Sequence, residues 1–213
     1  YSLTGFLICV ILPLLISLAV TTYFFMKSIA FNVVTESVSY NSILPQPSYT
    51  VSIKEDNNYY NKTELPSDMK YVSSLIETIN PTFNYDFHAT EPLDIKYYYA
   101  VVSKYVVIDY TDEKTQLTEP ETTVWKSDSK SIASPSVQIN ESVNIDLQKY
   151  AQKALDYKQT LRVPALAKLY VYITVNIDAR KPGLDEGYTE TLIQELEIPL
   201  TESITDIKKT KNA

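Results

Sequence analysis

The sequence predicts an N-terminal transmembrane helix followed by a mainly-β ectodomain with two short helices. Its strands are expected to form an antiparallel β-sandwich, for which an immunoglobulin-like order is one candidate topology. Three observations carry this expectation. Residues 3–26 contain no charged side chain. The 213 residues include 18 Tyr and only 3 Gly, and aromatic side chains suit a pleated, half-buried surface. Beyond residue 47, runs that alternate apolar with polar recur along the chain. The expected organisation is an anchor over residues 1–27, a stalk over 28–47 and an extracellular domain over 48–213.

The anchor rests on length. About 24 residues from Leu3 to Met26 make a helix of about 36 Å, enough to cross a hydrocarbon layer of roughly 30 Å with some tilt. Pro13 interrupts one backbone bond and bends it. Tyr23, Phe24, Phe25 and Lys27 form an aromatic and basic collar of the kind found at a membrane interface. A cleaved signal peptide is the competing reading, since Ser17-Leu18-Ala19 and Ser28-Ile29-Ala30 offer small residues at cleavage spacing. Cutting after Ala19 leaves an apolar stub, and cutting after Ala30 needs an apolar core far longer than usual. An uncleaved anchor is therefore expected, touching membrane lipid through residues 3–26. Cys9 lies inside it as a small apolar residue. Of the 19 basic residues only Lys27 precedes residue 28, and the rest are outnumbered by acidic ones. That is no cytoplasmic polybasic flank, so the expected location is the cell membrane, single-pass, with the C-terminal domain outside.

Within the stalk, Ile29 to Tyr40 is β-prone, and Pro45-Gln46-Pro47 extends the chain. Tyr49 to Ile53 then alternates at period two, and Thr82 to Phe87 repeats this with Phe83, Tyr85 and Phe87 on one face. Ile95 to Tyr110 reads as a long strand. Its stretch Tyr97 to Val102 is apolar on both faces, which predicts a central strand covered on both sides. Asp112 to Glu121 reads as a loop, and Thr122 to Lys126 as a strand around the only Trp, Trp125, expected to anchor the core. The clearest strand is KLYVYITVNID, Lys168 to Asp178. Leu169, Val171, Ile173, Val175 and Ile177 point one way, and Tyr170, Tyr172, Thr174 and Asn176 the other. After a loop at Lys181 to Gly187, Tyr188 to Ile198 is expected to return as its antiparallel neighbour.

Helical spacing appears twice. Met69, Val72, Leu75, Ile76 and Ile79 fit a helix over Ser67 to Asn80, with a Ser start and an Asn-Pro stop. Leu147, Tyr150, Ala151, Ala154 and Leu155 fit a second over Asp146 to Leu161, with Asp146 as its cap. Each is preceded by a similar segment, Val51-Ser52-Ile53-Lys54-Glu55 or Val137-Gln138-Ile139-Asn140-Glu141. A duplicated strand–helix–strand unit would produce such a pair; so would chance.

Composition removes many functions. A net charge of −7 argues against nucleic acid, whose phosphates need a basic face. One Cys and one His leave no disulfide framework, no Cys–His nucleophile and no histidine metal site. His88 reads as a surface residue. Ser103-Lys104 and Ser127 with Lys130 are dyads in sequence proximity alone. No Gly-rich phosphate loop exists, and Asp112-Glu113 and Asp185-Glu186 read as solvated turns. Asn61-Lys62-Thr63 and Asn140-Glu141-Ser142 are glycosylation sequons. No catalytic, cofactor-binding or metal-binding residue is expected, and no cofactor or small-molecule substrate is evident. The tyrosines offer the one candidate surface. Tyr170 and Tyr172 on the polar face of one strand, with Tyr97, Tyr98 and Tyr99 beside them, form a candidate interaction face, because a ring with a polar tip suits binding. A bland alternative is that a helix covers them.

Several stretches, IKEDNNYYNK (53–62), YVSSLIETINPTFNYDF (71–87), TVWKSDSK (123–130), VNIDLQKY (143–150) and IPLTESITDIK (198–208), resemble an uncharacterised family of single-pass, β-rich surface proteins of Gram-positive-type bacteria. The resemblance implies display outside the membrane. It also implies a link to secretion, since members are sometimes encoded beside type I signal peptidases. Members often carry a second, C-terminal hydrophobic span; this sequence ends in the basic run Lys208-Lys209-Thr210-Lys211-Asn212-Ala213, which leaves the topology open. Two functions follow as expectations. One is a non-catalytic β-module for binding or assembly at the cell surface. The other is an accessory subunit of a protein-processing or export complex such as a signal peptidase system, with a protein partner in the membrane or at the cell surface.

Overall fold

The computed structural model describes residues 17–27, 38–109, 115–161, 165–183 and 187–212. The chain divides into two compact units, Tyr1–Val38 and Ser39–Ala213. In the first, residues 17–27 form an α-helix (α1) with every side chain exposed. Thr21 and Thr22 donate their hydroxyls to the carbonyls of Ser17 and Leu18, each at 2.6 Å, so both polar side chains are satisfied within the helix itself. The Lys27 ammonium lies 5.9 Å from the Tyr23 ring centre. No helix among the described residues is long and apolar enough to cross a membrane. Residues 3–16 of the expected span, with Cys9 and Pro13, lie outside the described residues.

The second unit is mainly β, an antiparallel sheet curled on itself without closing into a barrel. Its early strands are β1 (Tyr40–Ile43), β2 (Ser48–Ile53), β3 (Glu64–Leu65) and β4 (Lys70–Val72). The organising element follows: β5, the 34-residue strand Ile76–Asp109. Straight, it would span roughly 110 Å at about 3.3 Å per residue, far more than a domain of this size can hold. It therefore bends, and a register shift between His88 and Leu93 marks an irregularity of the kind that kinks a strand. Its first half pairs with β2 and β1 along one edge. Along the other lie β8 (Lys130–Ser142) and β9 (Ile145–Asp146). Its second half pairs with β10 (Ala165–Arg180) on one side, and with β7 (Thr122–Lys126) and β6 (Thr115–Thr118) on the other. Beyond β10 come β11 (Gly187–Pro199) and β13 (Lys208–Asn212), giving the order β13-β11-β10-β5-β2-β3. The short strand β12 (Ile204–Asp206) pairs with β4 apart from this sheet.

The two halves of the curl face one another. Tyr188 on β11 stacks against Phe87 on β5, ring centres 5.8 Å apart. Gln194 on β11 donates to the Asn84 carbonyl of β5 at 3.2 Å and to that of Pro45. Between the halves lie Val51, Ile79, Phe83, Ile95, Val101, Leu169, Val171 and Leu196, all fully buried. Along β10 the alternation is clean: Leu169, Val171, Ile173, Val175 and Ile177 are buried and the intervening residues half-exposed. Each such aliphatic side chain contributes about 1.5–3 kcal/mol by leaving water. β11 returns antiparallel to β10, as the sequence predicts, and the register sets Ile173 opposite Gln194. The intervening turn has Gly183 at φ +81°; residues 184–186 lie outside the described residues.

The helix α2 (Leu147–Leu161) forms where expected, and the Asp146 carboxylate accepts from the Lys149 backbone N–H at 3.2 Å. The other expected helix does not form. Lys70–Val72 is strand, Ser73–Leu75 a single 3-10 turn, and β5 begins at Ile76. Spacing at 72, 76 and 79 fits a helix, but β-branched Ile76, Thr78 and Ile79 find partners on β2 and β9, and that pairing wins. The duplicated helical unit falls with it. What the two lead-in segments share is β5, which β2 and β8 flank on opposite edges.

The stalk also ends earlier than expected. β1 pairs with β5, and Leu44 and Pro47 are buried, so residues from Ser39 onward belong to the folded unit; residues 28–37 lie outside the described residues. The Asp112–Glu121 loop contains β6, with residues 110–114 outside the described residues. Trp125 does not anchor the core: every residue of β7 is exposed, Trp125 at 36%, because β7 lies at the rim of the sheet.

Candidate interaction face

Register decides which tyrosines share a face. Tyr170 sits opposite Lys104, Tyr172 opposite Val102, and Tyr98 opposite Asn176. In a pleated sheet directly opposed residues project to the same side, so Tyr98, Tyr170 and Tyr172 share the outer face of β5, β10 and β11. Tyr97 and Tyr99 pair with Ile177 and Val175 and project to the inner side. The five tyrosines thus divide between two faces. The strand segment Tyr97–Val102 is central in the sheet but covered on one side only, since Tyr98, Ala100 and Val102 retain exposure. The helix α2 packs on the other side from the outer tyrosines: Ser103 and Tyr105 of β5, which meet Tyr150 and Lys153 of α2, are on the inner side.

Tyr99 is a structural residue, 7% exposed. Its backbone N–H donates to the Ser127 hydroxyl at 3.0 Å and its ring stacks on Trp125 at 5.1 Å. Burial, followed by the Glu141 carboxylate at 3.1 Å, pushes its phenol up to about 12. Tyr97 is half-buried, with the Lys130 ammonium 6.0 Å from its ring centre.

The outer tyrosines on β10 stand among charges. Lys168 and Glu197 form an ion pair at 2.7 Å beside Tyr170. Partial burial and then the Glu197 carboxylate raise the Tyr170 phenol above its ordinary value. For Tyr172 the causes of an upward shift are burial, then a hydrogen bond with Glu121. Burial and the neighbouring Glu197 raise the Glu195 carboxyl too. The polar groups around Tyr170 and Tyr172 are therefore largely engaged with one another.

Tyr98 is in a different setting. It is the most exposed of the five at 43%. It lines a groove of about 340 Å³ with Lys96, Asn176, Asp178, Thr189 and Ser129. The groove lies at the end of the sheet where β10 and β11 approach their connecting turn. Asn176 and Asp178 were readable as polar positions of KLYVYITVNID, but only the register brings them to Tyr98.

The residues of the serine–lysine dyads are engaged elsewhere. Ser103 is buried with its hydroxyl 3.2 Å from Tyr150 of α2, while Lys104 is on the opposite side; the Ser127 hydroxyl accepts from the Tyr99 N–H, and the Lys130 ammonium lies over the Tyr97 ring. His88 is exposed at the irregularity of β5. Among the described residues no group of three or more His, Cys, Asp or Glu could hold a metal ion. Both acidic pairs, Asp112-Glu113 and Asp185-Glu186, lie outside the described residues.

These features define a curled antiparallel β-sheet unit with one open, tyrosine-bearing outer face. No family model matches the chain, and no curated protein matches it. Among solved structures, one described as "Crystal structure of protein from Archaeoglobus fulgidus" aligns with 78% of this chain and 99% of its own, at 6% identity and a TM-score of 0.27. That likeness is too distant to bear on function.

Proposed function

We propose that the protein is a single-pass, membrane-anchored, extracytoplasmic module whose two-layered, sandwich-like β unit binds a partner at the cell surface without catalysing a reaction. The observation that carries this reading is the outer face of β5, β10 and β11. It leaves Tyr98, Tyr170 and Tyr172 accessible on a rigid sheet whose opposite side is core. A sheet buried on one side holds such side chains in fixed positions, which lowers the entropy lost on binding. The charge-free residues 3–26 and the family resemblance support the anchor and the outward display.

Two measurements on cells test it. Protease added to intact cells should digest residues 39–213 and spare the anchor; a soluble, anchor-free protein in the medium would overturn the location. A photo-crosslinking residue at position 172 should capture a partner that one placed at buried Ile173 does not. Stoichiometric co-purification of a membrane peptidase in detergent would favour the accessory-subunit role in processing or export, to which the family resemblance also points.

A further inference from the structure

We infer that the groove beside Tyr98 is a carbohydrate-binding site, taking a neutral pyranose unit of an envelope polysaccharide. This rests on the surface-module reading above and assigns it a ligand class. The site combines an exposed aromatic ring with polar side chains that the fold leaves unused. Among the described residues, Tyr98, Lys96, Thr189 and Ser129 have no partner for a side-chain hydrogen bond or ion pair, and all four are exposed. Asn176 accepts from Thr191 at 2.9 Å through its Oδ1, so its amide hydrogens remain available to a ligand.

The same groove disfavours other ligands. Its aliphatic lining residue, Ile177, is 2% exposed and belongs to the core, so the groove offers no aliphatic pocket for a peptide's apolar anchor. Asp178 places a carboxylate at the groove, in a chain of net charge −7, which repels phosphate and polyanions. Asp178 is held by Arg180 at 2.9 and 3.1 Å, so that guanidinium is already engaged by a carboxylate. A neutral sugar fits what is left. Its C–H face, polarised by the ring oxygens, meets the electron-rich face of Tyr98. Its hydroxyls can accept from Asn176 and Lys96 and exchange hydrogen bonds with Thr189 and Ser129. The volume lies at the lower end of the roughly 300–1,000 Å³ typical of small-ligand sites, suiting one or two sugar units of a chain that continues past the open ends.

The test is affinity electrophoresis of the full chain in detergent. Native gels are cast with glycogen, mannan, hydroxyethylcellulose or the wall polysaccharide purified from the host. At least one of these should retard the protein. Tyr98→Ala should weaken that retardation about tenfold, the size of one aromatic contact. Asn176→Ala should weaken it as well, whereas Tyr172→Ala should not. Unchanged thermal unfolding of each variant excludes misfolding as the cause. Unaltered mobility in all four gels overturns the proposal, as does retardation that survives Tyr98→Ala. A protein captured by a photo-crosslinker at position 98 also overturns it but leaves the surface-module reading standing. Failure of outward display would appear separately in the protease experiment.

Discussion

The Lys209 ammonium lies 2.7 and 2.8 Å from the two carboxylate oxygens of Asp68, joining β13 to the segment between β3 and β4. These residues belong near opposite ends of the strand order, so the ion pair fastens the open edges of the curl. Lys209 also packs 5.2 Å from the centre of the Tyr49 ring, and the Tyr49 hydroxyl accepts the Asp68 N–H at 3.2 Å. Asp68 holds φ at +65°, a left-handed conformation that Asp and Asn tolerate better than most residues.

Asp68→Asn keeps that backbone preference and removes the charge. Hydrogen bonding by Lys209 and then by Ser67 holds the Asp68 carboxyl below its ordinary value. A depressed carboxylate contributes stability above the unfolded-state pKa of about 4 and loses it as pH falls through the folded value. Wild type should therefore melt at higher temperature than Asp68→Asn at pH 7, and the two curves should converge below about pH 4. A gap independent of pH would mean that the charge is not what fastens the edges.

Ile173 and Tyr172 are adjacent in sequence but on opposite faces. Ile173→Asp places an unpartnered charge in the core and should cost several kcal/mol, a large share of the roughly 5–15 kcal/mol that stabilises a domain. Tyr172→Asp should cost under about 2 kcal/mol, since that side chain is half-exposed. Denaturant melts of the full chain in detergent measure both; equal losses would show that the outer face is covered.

Gln194 is 0% exposed, and both its described hydrogen bonds are donated by its amide nitrogen to main-chain carbonyls. Gln194→Glu would set a carboxylate against those carbonyls and should destabilise by roughly 3–5 kcal/mol at pH 7. Its buried carboxyl pKa would be raised, so the deficit should shrink at low pH, where the protonated acid can donate. Gln194→Leu should cost about 1–3 kcal/mol with no comparable pH dependence. Melts at pH 4 and pH 7 distinguish them.

Alkali should unfold the protein through its buried phenols. Burial, then Glu119, pushes Tyr105 up to about 12; burial also raises Tyr85, and Tyr99 shifts as described. Above the unfolded-state value of about 10, the unfolded chain releases protons that the folded one retains, so stability falls as pH rises. Absorbance at the phenolate band should show a group of tyrosines that ionise only as the protein unfolds. Smooth titration of every tyrosine near pH 10 would contradict their burial.

Period two made β10 and β11 readable in the sequence, since five aliphatic residues in strict alternation allow few other structures. Asp146 and the stripe after it made α2 readable as well. Residues 67–80 were ambiguous because apolar spacing alone fits a helix there, and the deciding pairings with β2 and β9 come from distant segments. Tyr97, Tyr98 and Tyr99 could not be separated by composition. Alternation puts consecutive residues on opposite sides, but which side is core depends on β10. The groove was hidden for the same reason: Lys96, Asn176 and Thr189 meet only through the register of three strands.

The 34-residue strand β5 also bears on how the chain reaches this state. Both halves of the curl share it, so neither half contains a complete set of strands that could form without the other. Its partners lie from Tyr40 to Arg180, and few of these pairings can be made by a short hairpin. Closing such long loops before their contacts form places the chain among slow, β-rich folders, on a scale of milliseconds to seconds. A chain threaded through a membrane pore from its N-terminus would emerge with β5 long before β10 and β11 could cover it. For that interval the apolar side of the strand would stand exposed, so a chain exported in this way would be a candidate substrate for extracytoplasmic chaperones and proteases.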